Sequence, residues 1–107
     1  LSDPITVERM ERAMEYLAET DQAYADYIAA KLRCEILCKR VRARVFVETE
    51  GSVEVRKAKA EINPEVDEAD KYLVEAVLYL EGLKAKRSRA EIVIDVWRSL
   101  NASQRKS

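Results

Sequence analysis

The side chains best suited to chemistry are few in this chain, and their spacing restricts what they can do. Histidine is absent, which removes the commonest general base and any histidine-assisted nucleophile. The two cysteines, Cys34 and Cys38, stand four apart. On a helix they share a face one turn apart, where the geometry for a mutual disulfide is poor. They read as reduced thiols filling a packed seam. Two cysteines without histidine fall short of the four ligands of a structural zinc site. No glycine-rich phosphate loop occurs. The acidic pairs Asp67/Asp70 and Glu11/Glu15 have helical spacing and read as solvated helix surface, not as paired catalytic carboxylates. We therefore expect no catalytic residue, no cofactor and no metal.

The basic residues carry more information. The run "KLRCEILCKRVRAR" places Arg33, Arg40 and Arg44 on roughly one helical face, and Lys84, Lys86, Arg87 and Arg89 form a second run. If the second run approaches the Lys31–Arg33 end of the first, the two make a stripe able to contact phosphates through Arg33, Arg40, Arg44, Lys86 and Arg89. The competing reading is pairing with the acidic parts of the same chain. Residues 1–26 and 48–70 each carry a net charge of −5, whereas 27–47 carry +5 and 71–107 carry +4, leaving −1 in total. Alternating blocks suit a chain that folds back on itself or pairs with a copy of itself. The near-neutral total weighs against a dedicated nucleic-acid binder.

These groups must be positioned by helices. With 107 residues, 48% hydrophobic and 36% charged, and only four glycines and prolines together, the composition is that of a single helical domain, 1–107. Val7, Met10, Met14 and Leu17 predict an amphipathic helix over about 5–18, capped by Thr6 or Asp3 with Pro4 in its first turn. Thr20-Asp21 reads as a weak break and a new N-cap. A second helix follows over about 20–50. Its seam Tyr24, Tyr27, Lys31, Cys34, Cys38, Val41, Val45, Glu48 steps alternately by three and four, and Ile28, Leu32, Leu37 and Phe46 widen the apolar face.

Gly51 is one of only two glycines and can take the left-handed conformation at a helix end. Ser52 is a ready N-cap for a short corner helix over about 52–62, which is too short to stand alone. Asn63-Pro64 ends it and starts the last helix, about 64–101. There Ala69, Leu73, Ala76, Leu80, Leu83, Arg87, Ala90, Ile94, Trp97 and Asn101 keep the three–four step without a slip. The expected fold is all-α: a long antiparallel helical hairpin with coiled-coil-like seams, an N-terminal helix laid along it, and a corner helix. A trial register sets Val47 against Ala69 and Cys34 near Gly82, with Gly82 allowing close backbone approach. Lys31 and Arg87 interrupt the seams; a charged seam residue can fix register or oligomeric state, but the favoured expectation is that these long side chains reach the seam's edge.

The C-terminal stretch "AEIVIDVWRSLNASQRKS" is apolar on more than one side, which calls for more than one neighbour. Together with the amphipathic tyrosines this marks Tyr72, Tyr79, Val93, Trp97 and Leu100 as the candidate protein interface. No run is long enough to span a membrane and no signal peptide is evident, so the expectation is a cytoplasmic protein that forms a homodimer.

At "EYLAETD", "FVETEGSVEVRKAKAE" and "AEIVIDVWRSLNASQR" the chain resembles small helical proteins encoded by tailed bacteriophages and prophages, often near recombination and replication genes. The resemblance implies an accessory role inside a bacterial host cell: contact with a phage or host protein, or self-assembly, in phage DNA metabolism. It supplies no catalytic residues. Direct nucleic-acid binding through runs 33–44 and 84–89 is the alternative.

Overall fold

A computed structural model describes residues 5–106. It contains three helices: α1 Val7–Glu48, α2 Val53–Glu61 and α3 Pro64–Lys106. The two long helices pack against each other as an antiparallel hairpin with α2 in the corner, and no strand occurs among the described residues. The expected all-α hairpin is thus observed.

Local signals account for the helix starts. The Thr6 hydroxyl accepts a hydrogen bond from the Arg9 backbone N–H at 3.1 Å, capping α1. The alternative cap, Asp3, and Pro4 lie outside the described residues. Ser52 caps α2 by accepting from the Val55 N–H at 3.3 Å, and the Asn63 side-chain oxygen caps α3 by accepting from the Glu65 N–H at 2.8 Å. Pro64 occupies the first helical position, where its missing N–H costs nothing.

The corner is built as the sequence suggests, with one refinement. Helix α1 ends at Glu48, and Gly51 takes φ 122° in the bend beyond it. The freed end of α1 is served by side chains. The Thr49 hydroxyl donates to the Val45 carbonyl at 2.6 Å, and Arg56 Nε donates to the Thr49 carbonyl at 2.7 Å while its guanidinium lies over the Phe46 ring.

One expected element is absent. Residues 5–18 and 20–50 are not two helices but one, α1, running unbroken through Thr20-Asp21. The Thr20 hydroxyl donates to the Tyr16 carbonyl at 2.7 Å. A mid-helix threonine satisfied in this way does not stop the helix. The first part of α1 belongs to the same helix as the rest and packs on α3 through Ala13, Ala90 and Ile94, so no separate N-terminal helix forms a third layer.

The chain forms two compact units. The corner unit runs from Asp26 to Leu80 and holds α2. Its core joins Val45, Ala60 and Val66, one residue from each helix, with Val41 against them. The terminal unit combines the described residues up to Ala25 with those from Glu81 onward. Its core joins Ala13, Ala90 and Ile94, with Met10, Tyr16, Leu17 and Val93 packed around them.

The register differs from the trial one. The Cys38 thiol donates to the Ala69 carbonyl at 3.3 Å, so Ala69 meets Cys38 and Val47 stays 73% exposed. A β-carbon built on Gly82 would meet nothing within 4 Å, so this glycine marks no close approach. Both thiols are free, as expected.

Candidate interaction surfaces

Two arginines bridge the long helices. In the terminal unit the Arg87 side chain is only 13% exposed. It donates to the Leu17 carbonyl at 2.9 Å, the Thr20 hydroxyl at 2.7 Å and the Asp21 carboxylate at 2.7 Å. Its guanidinium also lies 4.8 Å from the centroid of the Tyr24 ring. The expectation that Arg87 escapes to the edge of the seam is therefore corrected. The planar fork finds a carbonyl, a hydroxyl, a carboxylate and a ring face in one place, and so stays inside. Lys31 offers no such match and sits at the edge, 4.0 Å from Glu35.

In the corner unit Arg42 grips Asp70 with two parallel bonds, at 2.9 and 2.7 Å, and reaches Glu61 of α2 at 3.5 Å. The Arg42 guanidinium holds the Asp70 carboxyl below the usual carboxylate range. Burial, then the nearby Asp70 carboxylate, push the Cys38 thiol up, which makes it a poor nucleophile.

The nucleic-acid candidates scatter. Arg44 is committed to Glu48 and Glu65. Arg33 and Arg40 are exposed on the same helical stripe. Lys86 and Arg89 belong to the terminal unit. They line a groove of about 420 Å³ in the terminal unit with Arg9 and Arg12, over a floor of Ala13, Tyr16, Ala90 and Val93. Arg9 and Arg12 are the two bases of the acidic segment 1–26, and its net charge of −5 conceals them. Their i, i+3 spacing beside Ala13 was the available signal.

The protein-interface candidates divide likewise. Tyr72 and Tyr79 are 51% and 65% exposed. Tyr72 donates to Glu68 at 3.3 Å, and Tyr79 lies against Tyr27 with ring centroids 6.0 Å apart. Val93 belongs to the terminal core, Trp97 is half-buried, and Leu100 is 43% exposed.

A further apolar surface was read in the sequence only as a broadening of the core face. Ile28, Leu32 and Ile36 follow one another at i, i+4 along α1 and are 39–52% exposed. Ala43, seven residues past Ile36, continues that stripe. It lines a groove of about 500 Å³ with Phe46 and with Lys57 and Ala60 of α2. On α3 the row Asp70, Val74, Leu78 begins at the partner of Arg42 and ends in two residues that are 58% and 67% exposed. Helix α2 thus covers one end of an apolar face of the corner unit and, after nine residues, leaves the rest open.

Among the described residues no helix is long and apolar enough to cross a membrane. No group of three or more acidic or cysteine side chains among them is arranged to hold a metal ion. No family model matches the sequence, and neither the curated proteins nor the solved structures yield a match.

Proposed function

We propose that the chain is a non-catalytic assembly protein that works by protein contact, and that it self-associates as a homodimer through the open face beside α2. The observation that carries this reading is the uncovered row Ile28, Leu32, Ile36, Val74 and Leu78. Large apolar side chains left exposed in rows on a helical surface are the material of contact sites on soluble proteins. A second observation supports it. The chain exposes 8205 Å², against roughly 6,100 Å² for a compact monomer of its mass. The excess, about 2,100 Å², leaves ample surface for the roughly 800 Å² that each partner of a standard interface buries. A phage or prophage accessory role in the cytoplasm of a bacterial host follows from the sequence resemblance.

Light scattering on a sizing column, with and without a short DNA duplex at low and moderate salt, tests the proposal. A dimer that ignores DNA is the expected result. A monomer that comigrates with DNA at low salt contradicts it and moves the function to the basic residues, whose phosphate contacts weaken steeply with salt.

A further inference from the structure

The groove of the terminal unit and the apolar face beside α2 have no lining residue in common. Its two walls come from different helices, and each carries two cations at i, i+3 spacing: Arg9 and Arg12 on α1, Lys86 and Arg89 on α3. All four are exposed, and none has a carboxylate of another described residue within ion-pair distance. Elsewhere in the molecule Arg42, Arg44 and Arg87 each have carboxylate partners. Between the walls the floor is apolar. Ala13 and Ala90 lie at its base, 8% and 9% exposed. Val93 and the Tyr16 ring complete the floor.

We infer that this groove binds an amphipathic acidic helix of a partner protein, its apolar seam on Ala13, Ala90 and Val93 and its flanking carboxylates on Arg9, Arg12, Lys86 and Arg89. Charge complementarity selects the acidic sign, and the floor selects a helix over a nucleic acid. A phosphate backbone uses cations but gains nothing from two alanines and a valine, whereas a helix that docks in a groove is held by apolar anchors at i, i+3 and i+4. The walls extend about two helical turns, from Arg9 to Tyr16, some 10 Å. The inference rests on the reading of the chain as a protein-contact module. It uses a different surface from the homodimer face, so either can fail alone.

The test is fluorescence anisotropy with a labelled synthetic helix of about 14 residues, leucines along one seam and glutamates beside it. Three comparisons accompany it: the same peptide with its leucines replaced by serines, a single-stranded oligonucleotide, and a duplex. The full chain should bind the glutamate–leucine helix saturably. Arg12→Glu with Arg89→Glu should weaken it at least about tenfold, the size expected for losing two charge-assisted contacts. Arg33→Glu with Arg40→Glu should leave it unchanged. All four residues are exposed, and circular dichroism checks that each variant keeps its fold. Equal binding of the serine peptide would overturn the proposal, since the floor would then play no part. An oligonucleotide that binds more tightly than the peptide, with the same dependence on Arg12 and Arg89, would also overturn it, as would no binding of the peptide at all.

Discussion

The terminal and corner units each use one arginine to tie α1 to α3, and the two do so differently. Arg87 is 13% exposed and satisfies a main-chain carbonyl of the opposite helix. Arg42 is 36% exposed and meets a carboxylate that is 40% exposed. The first is a nearly dry, many-partnered clasp set into an apolar seam. The second is a well-formed but wet ion pair, of a kind that contributes little because water competes for both partners. Cohesion in the corner unit comes instead from three helices converging on Val66, the one large side chain there with 1% exposure. The terminal unit joins two helices among its described residues, α1 and α3, and Arg87 bridges them beside its core. A polar group thus orders a seam only where its surroundings exclude water and match its geometry.

That contrast can be broken in several ways. The largest effect should follow Val66→Asp. It places an unpaired carboxylate where all three helices meet, and should cost about 4 kcal/mol, enough to abolish cooperative folding of the corner unit. Hydrogen exchange should show amide protection lost first around residues 41–66. Next, Arg87→Met should cost about 2 kcal/mol, because the Thr20 hydroxyl and Asp21 lose a charged donor, whereas Arg42→Met should cost under about 1 kcal/mol. Equal losses in urea unfolding would erase the distinction between the two arginines.

The two glycines sharpen the comparison. Gly51→Ala puts a side chain at φ 122° and within 3.1 Å of Val55, and should destabilise by about 1–2 kcal/mol. Gly82→Ala enters open space inside a helix and should stabilise by about 1 kcal/mol. Thermal unfolding of the pair should therefore move in opposite directions.

The smallest effect is that of pH. Arg42 lowers the Asp70 pKa in the folded protein. Its stabilisation is complete above the unfolded value of about 3.9 and is lost as pH falls through the lower folded value. Melting at pH 5 and pH 3 should show an acid loss that Asp70→Asn makes shallower.

Much of this architecture is legible in the sequence, because burial follows the three–four step. All ten seam positions from Ala69 to Asn101 are buried or half-buried. Capping preference at Thr20-Asp21 suggests a split that α1 does not have. Met10, Ala13, Leu17, Thr20, Tyr24 and Tyr27 keep the same step through the supposed break, and Thr20 and Asp21 serve Arg87, 66–67 residues away. Local propensity cannot register so distant a partner. The pairing of Ala69 escaped for a related reason: a repeating seam remains apolar when slid along itself, so periodicity alone does not set register. The groove was half legible, since Lys86 and Arg89 were singled out while Arg9 and Arg12 were absorbed into an acidic average. The face beside α2 was legible as apolar, but not as open. That depended on α2 ending at Glu61.

The central claim is that this open face, and not the tyrosine-bearing side, joins two copies. Light scattering on Leu32→Glu/Leu78→Glu beside Tyr72→Glu/Tyr79→Glu tests it most directly. All four side chains are more than half exposed, so both variants should fold. The account predicts that the first variant falls to the 12.3 kDa of one chain while the second stays at twice that mass. A first variant that remains dimeric, or a second that dissociates, would contradict it.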